Sequence, residues 1–378
     1  MATATAVQAQ MKIPALDLKA QYLTIKDEVQ AAINSVLENQ HFILGPEVKA
    51  LEDEIAAYCG TKYAVGVASG TDALILGLNA CGIGPGDEVI VPSFTFIATA
   101  DAVSMLGATP VFADIQAGTF NVDPHSIERQ ITARTRAIIP VHLYGQAADM
   151  DPIMAIARKH DLKVLEDTAQ AIGATYKGRR VASIGDVGCI SFFPSKNLGG
   201  YGDGGMVVTN SEQVYRHLIS LRAHGSTKKY FSEEQGWNSR LDELQAAILR
   251  VKLRHLDSWS SQRREVAWRY DTVLGKVKNV ITPARNGYGD HVFHQYTIRV
   301  PRRDQVQKRL AELGISTTVY YPTPIHMQPI YASLNLQEGD FPVTEQACKE
   351  ALSLPIFPEL TSEQILYVSH ALAQVLDE

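Results

Sequence analysis

Residues Ser191–Gly205 read SFFPSKNLGGYGDGG. The run sets one lysine, Lys196, in a tight turn just past a β-rich stretch, Val187–Phe192, and follows it with five glycines among the seven positions 199 to 205. Glycine tolerates unusual dihedrals and lets backbones approach closely, so such a loop is able to press a lysine against a ligand. It is not a Walker-type phosphate loop, because the lysine precedes the glycines and no G-x-x-x-x-G-K-[ST] occurs. Taken alone, the stretch is better read as a solvated lysine in a flexible hairpin, and only its surroundings change that.

Working outward, short β-rich runs lie at Ala64–Ala68, Val89–Val91, Pro110–Ala113, Ala137–Val141, Lys163–Glu166, Val187–Phe192 and Met206–Thr209. Helix-length segments separate most of them, and alternation of that kind implies an α/β fold with a mostly parallel sheet covered on both faces. The last two of the seven strands are joined only by the glycine loop, which suits an antiparallel pair. Before the first strand, Ile25, Val29, Ile33, Val36 and Leu37 recur at helical spacing, and Pro46 opens a second helix running to Tyr58. After Leu256 the pattern changes. A long polar helix with Trp259, Trp268 and Tyr270 leads to an isolated strand, Tyr296–Val300, a helix to Leu313, the Pro-rich segment YYPTPIHMQP and a C-terminal helix. The expected organisation is a leader over residues 1–11, a large α/β domain over 12–255 and a smaller α+β domain over 256–378.

A chain of 378 residues is long for one core, which supports two domains. With 46% hydrophobic and 20% charged residues the profile is that of a soluble globular protein. A net charge of −6 and the lack of a Lys/Arg block argue against a nucleic-acid surface. No stretch approaches the apolar length of a membrane span, and the N-terminal MATATAVQAQM lacks the pattern of a signal peptide. Cys59, Cys81, Cys189 and Cys348 are scattered without a C-x-x-C pair, so they read as reduced thiols of a cytoplasmic protein and give neither a metal site nor a disulfide frame.

Ligands of open α/β sheets bind outside the carboxyl ends of the strands. Besides the lysine loop, two loops there are chemically unusual. Ser69-Gly70-Thr71-Asp72 precedes the helix Ala73–Leu78, whose N-terminal amides and dipole suit a phosphate; by itself it is better read as an N-cap by Thr71 or Asp72. Glu166-Asp167-Thr168-Ala169-Gln170 ends the buried strand KVLED and offers a carboxylate to a cation; by itself it is better read as a capping aspartate for a following helix. Together the three loops put a phosphate cradle, an acid and a lysine at one edge of one sheet. Pyridoxal 5′-phosphate (PLP) requires those groups: a desolvated lysine to form a Schiff base, an acid to keep the pyridine nitrogen protonated, and an anion site for the phosphate.

The sequence resembles the sugar aminotransferases of the DegT/DnrJ/EryC1/StrS family, within the fold-type-I PLP enzymes. The matching stretches are HFILGPEVKALEDEIAAYCG, ASGTDAL, GPGDEVIVPSFTFIATA, AIIPVHLYGQAADM, VLEDTAQAIGATYKG, SFFPSKNLGGYGDGG, NSRLDELQAAIL and YYPTPIHMQP, in the family's order and over nearly the whole chain from Pro14. The resemblance implies Lys196 as the Schiff-base lysine and Asp167 as the partner of the pyridine nitrogen. It places Gln170 near the phenolic oxygen and Phe96 stacked on the other ring face, where the plainer reading is core packing. Gly70, Thr71 and Ser191 match phosphate contacts, and Asn238 matches a phosphate contact from the neighbouring subunit of a homodimer. Arg240, Tyr321 and His326 match the sugar side of the site; for His326 a satisfied loop histidine is the alternative. Tyr320 departs from the family pattern, standing where many relatives carry histidine.

The reading is therefore a PLP aminotransferase that moves an amino group from L-glutamate to the keto sugar of a nucleotide-linked sugar, with Lys196 as general acid/base. Gly70–Leu74 together with YYPTPIHMQP looks more like the 3-aminotransferases, favouring C3 of a 3-keto UDP- or dTDP-sugar over a 4-keto substrate. A nicotinamide dehydrogenase or epimerase is the alternative of another class. Its fingerprint fails, because Gly82-Ile83-Gly84-Pro85-Gly86 precedes a strand and contains proline. A PLP sugar dehydratase would carry histidine at position 196, and a non-catalytic PLP-binding regulator would not need the lysine, acid and glutamine together.

Overall fold

The computed structural model describes residues 11–228 and 230–378, so the expected leader lies, Met11 excepted, outside the described residues. Seven strands form the main sheet: β1 (Tyr63–Val67), β2 (Glu88–Pro92), β3 (Thr109–Ala113), β4 (Thr135–Ile138), β5 (Lys163–Asp167), β6 (Val187–Ser191) and β7 (Gly205–Thr209). Their order is β1-β7-β6-β5-β4-β2-β3. β7 runs antiparallel to both neighbours, and the remaining pairings are parallel. The antiparallel strand is the one reached through the glycine loop, which turns the chain straight back where a helical crossover would keep it parallel.

Side chains alternate across each strand, and here both faces are covered. Val89 and Val91 of β2 join the cluster with Leu74, Leu78 and Val103, while Ile90 joins Ile153, Ile156 and Ala157 on the other side. In β5, Leu165 faces the first cluster and Val164 the second. The alternation continues to the strand end, so Glu166 looks to the second face and Asp167 to the first. After α1 (Leu18–Asn39) and α2 (Pro46–Cys59), the first face carries α3 (Gly70–Ala80) and α4 (Ala98–Met105); the second carries α6 (Met150–His160), which follows the short α5 (Pro124–Arg129).

A second core gathers Val266, Tyr270 and Leu274 with β8 (Tyr296–Arg299), β9 (Ala351–Leu354) and the C-terminal helix Ser362–Asp377. The strand expected to be isolated thus pairs antiparallel with β9, a strand the sequence reading did not find. The chain pattern changes at residue 256, where a helix links the two cores. Beyond α7 (Glu212–Leu221) and α8 (Glu243–Leu253), helix α9 (Leu256–Leu274) starts in the large core through Leu256 and ends in the small one through Tyr270 and Leu274. Met11 and Ile13 pack into the small core, and Ile13 exchanges backbone hydrogen bonds with Gly314 and Ser316. Ile325, Tyr331 and Phe341 return to the large core.

Candidate active site

Three chain segments meet at the carboxyl edge of β5 and β6. Helix α3 begins earlier than expected: Ser69 is the N-cap, its Oγ accepting the Asp72 N–H at 3.0 Å, so Gly70 and Thr71 lie in the first turn with amides that have no intrahelical acceptor. Glycine is required at 70 because an added Cβ would sit 2.6 Å from Ser191 Cβ at the end of β6. At Gly205 the added carbon would sit 2.2 Å from the Ser69 carbonyl. The helix N-terminus, Ser191 and the glycine run therefore close on one point, a cradle for a phosphate. Asp72 is held from behind, accepting the Ser239 hydroxyl at 2.7 Å.

Asp167 closes β5. No helix follows for it to cap, contrary to the plainer reading of this loop; its Oδ1 accepts the N–H of Ala169 at 3.1 Å in a turn, and Oδ2 accepts the Thr99 hydroxyl at 2.9 Å. The carboxyl is buried and makes no ion pair among the described residues, and burial raises its pKa against those two hydrogen bonds. Lys196 sits in a turn closed by its own N–H to the Phe193 carbonyl at 2.8 Å. Burial lowers its pKa, opposed by the charge of Asp167. The lysine's shift has the direction that PLP chemistry uses, since it is easier to deprotonate; the acid's shift is the mark of a buried carboxyl short of a cation, and a cation brought to it would favour its ionised form.

A cavity of about 520 Å³ joins these groups. Gly70, Thr71, Phe96, Asp167, Gln170, Ser191, Lys196 and Tyr321 all line it. Phe96 is 56% exposed, so it faces the cavity and is not core packing. Gln170 accepts the Tyr144 N–H at 2.9 Å and donates to Tyr321 at 3.0 Å, which fixes its amide from both sides. Tyr320 also lines the cavity, and its carbonyl accepts the Tyr144 hydroxyl.

The structure separates three predicted residues from these. Asn238 is exposed and Arg240 half-buried, and neither lines the cavity of its own chain. His326 is only 2% exposed: Nδ1 hydrogen-bonds Ser93 Oγ at 2.6 Å, Nε2 lies 3.4 Å from Glu345, and the ring packs on Phe112 and Phe341. Its expected contact with sugar is replaced by a role tying the Pro-rich segment to the end of β2, because the apolar Ile325 beside it draws this turn into the core. Sequence reasoning missed Thr99, Tyr144, Ser195, His294 and Gln295. Thr99, Tyr144 and Ser195 lie inside the quoted GPGDEVIVPSFTFIATA, AIIPVHLYGQAADM and SFFPSKNLGGYGDGG; His294 and Gln295 come from a chain-distant segment with no local signature.

PLP fits these residues. A glycine-lined cradle at a helix N-terminus, a buried carboxylate without a cation and a desolvated lysine supply its three requirements in one cavity. Fold and site thus define a PLP-dependent enzyme of the α/β type. The family model described as the DegT/DnrJ/EryC1/StrS aminotransferase family matches residues 23–373, and the chain belongs to that family. A Geobacillus stearothermophilus protein named pleiotropic regulatory protein is 52% identical over 96% of this chain and 98% of its own length. The UDP-N-acetyl-3-dehydro-alpha-D-glucosamine 3-aminotransferase of Acidithiobacillus ferrooxidans is 50% identical over 96% of this chain and 98% of its own. Among solved structures, S. venezuelae DesV in complex with a ketimine intermediate is 47% identical, with a TM-score of 0.95 over 97% of this chain and 99% of that one. The chain is a sugar aminotransferase, and its cofactor is PLP; structural neighbours hold it in PLP and pyridoxamine-phosphate forms.

Proposed function

We propose that the chain transfers the amino group of L-glutamate to C3 of a 3-keto sugar carried on UDP or dTDP. The observation that carries this reading is the cavity in which Lys196, Asp167 and the α3 N-terminus converge, on a chain whose near-full-length relatives are named for 3-amino or 3-oxo nucleotide sugars. The bound cofactor supplies an electron sink. With the cofactor bound, Lys196 would hold and move the proton, Asp167 would favour positive charge on the ring nitrogen, and Phe96 and Gln170 would hold the ring.

The working unit is a homodimer with shared sites. Ser239 is buried against its own chain's Ala68 and Asp72. Its neighbours Asn238 and Arg240 therefore project to the other side of an extended segment, where a second subunit's cofactor phosphate and sugar would meet them. Four unpaired cysteines suit a reducing cytoplasm, and among the described residues no helix is long and apolar enough to cross a membrane. A purely regulatory role, suggested by one relative's name, does not call for this lysine and acid.

The test is a parallel assay of 3-keto and 4-keto nucleotide sugars with glutamate as donor. A higher kcat/KM for the 3-keto compound is expected. Preference for the 4-keto compound would overturn the regiochemistry, and inertness toward both would favour the regulatory reading. Mixing Lys196→Ala with Asn238→Ala chains should restore partial activity through hybrid dimers.

A further inference from the structure

Behind the wall of the catalytic cavity lies a second, more enclosed one of about 90 Å³. Four residues, Ser195, His294, Gln295 and Tyr320, line both. The small cavity holds about three water-sized volumes, at roughly 30 Å³ per water, which suits a carboxylate group and little else. Its distinguishing wall is Arg263 of α9, only 3% exposed. Nη1 is tied to the carbonyls of Phe293 at 3.1 Å and Ile356 at 3.0 Å. Among the described residues, Nε and Nη2 have no hydrogen-bond partner, and neither do the Ser195 hydroxyl, the Gln295 side-chain amide or the Thr318 hydroxyl. The carboxylate that acts on Arg263, Glu359, is shared with Lys252.

Buried polar groups are ordinarily paired, and a buried guanidinium more so. Here one buried cation and three half-buried polar groups line a space that shares the wall beside the lysine. His294 stands between the two centres, feeling the charge of both Lys196 and Arg263. Burial keeps that histidine neutral at physiological pH, so it adds no competing charge. Its Nδ1 meets Asn197 Oδ1 at 3.1 Å, which links this wall to the residue after Lys196.

We propose that this cavity is the carboxylate subsite of the amino donor, with Arg263 as the charged anchor and Ser195, Gln295 and Thr318 as its hydrogen-bonding rim. The inference deepens the proposed function and rests on it. A donor amino acid has no nucleotide with which to gain affinity, so its carboxylate needs a desolvated partner within reach of Lys196. A carboxylated sugar is the other source of the same chemistry. The donor is favoured because the site is small, enclosed and adjacent to the lysine.

The two half-reactions separate these cases. The PLP-loaded protein is titrated with glutamate, followed by loss of its yellow absorbance, and with glutarate, followed by calorimetry. The pyridoxamine-phosphate-loaded protein is mixed separately with a 3-keto nucleotide sugar lacking a carboxyl group. Arg263→Met should weaken glutamate and glutarate by about 10²-fold, as expected on removing one partner of a buried charged contact. Thr318→Val and Gln295→Met should each weaken them by roughly 2- to 10-fold, and the sugar half-reaction should keep its rate in Arg263→Met and Thr318→Val, whose residues do not line the catalytic cavity. Retained cofactor absorbance shows that a variant has folded, and Thr318→Val carries the test if Arg263→Met does not. Unchanged glutamate and glutarate affinity in the folded variants would overturn the subsite. So would a loss confined to keto sugars that carry a carboxyl group. If the unaltered protein reacts with glutamate but with no nucleotide keto sugar, the proposed acceptor fails while the donor subsite stands.

Discussion

Glu166 and Asp167 are neighbours on one strand, both buried, and the two faces of the sheet treat them differently. On the α6 face, Glu166 accepts the N–H groups of Ala182, Ile184 and Gly185 and meets His142 Nε2 at 2.9 Å. On the cavity face, Asp167 has one amide and one hydroxyl. A carboxylate whose oxygens are filled by backbone donors holds a loop in place. One left short of partners in a cavity keeps its charge for a ligand. The difference teaches that the number of fixed donors, more than burial, separates a structural acid from a functional one.

The largest effect lies on the cavity face. Lys196→Ala should abolish turnover while still binding pyridoxamine phosphate, because the cradle at Gly70, Thr71 and Ser191 remains; borohydride reduction of the unaltered protein should fix the cofactor to a peptide containing Lys196. Labelling at another lysine would sink the assignment. Next comes Asp167→Asn, which keeps the shape and removes the charge at the ring nitrogen. We expect a rate loss of about 10²-fold or more, in keeping with several kcal/mol of lost electrostatic stabilisation. Stability should move the other way. Because the folded pKa of Asp167 is raised, the folded cofactor-free protein binds more protons than the unfolded chain, and its stability falls as pH rises from the ordinary aspartate range, near 4, through the folded value. The asparagine variant lacks that loss. Without cofactor it should match the parent at acid pH and be the more stable of the two near neutrality, as checked by denaturant melts.

The third prediction belongs to the other face. Glu166→Gln leaves one acceptor oxygen for three backbone donors and puts an NH₂ group among them. A cost of about 2–3 kcal/mol in unfolding free energy is expected, with kcat preserved in the fraction that folds. A loss of kcat without a loss of stability would break the contrast between the two acids.

How far the sequence alone reached follows the same division. The seven strands were legible because their apolar runs are local, and the antiparallel return was legible because only the glycine loop separates the last two. Asp167 stood out because it ends a buried strand, where few polar side chains belong, and Lys196 because a glycine run follows its turn. His326 was misplaced because its surroundings, Ser93, Phe112 and Glu345, are assembled from distant chain. The helix start at Ser69 was misjudged because Thr71 and Asp72 are also good caps, and only the hydrogen bond from Asp72 to Ser69 decides. Gln295 and Arg263 carry no local signal, since one lies beside an isolated-looking strand and the other in a polar helix.

The smallest predicted effect concerns Gln170, which stands between the two conditions. Its oxygen is held by the Tyr144 amide and its nitrogen by the Tyr321 hydroxyl. Tyr321→Phe removes the second contact and leaves the first, so the amide keeps its position but with one buried donor unpaired. An unpaired neutral group of this kind costs about 1 kcal/mol, which corresponds to a loss of roughly 5-fold in kcat/KM and a small shift in thermal midpoint. Gln170→Ala in the same background should add little beyond its own effect, since the two act as one unit. A loss approaching that of Asp167→Asn would mean that the Tyr321 hydroxyl acts on the substrate directly, and that this part of the cavity belongs with the groups kept unpaired for chemistry.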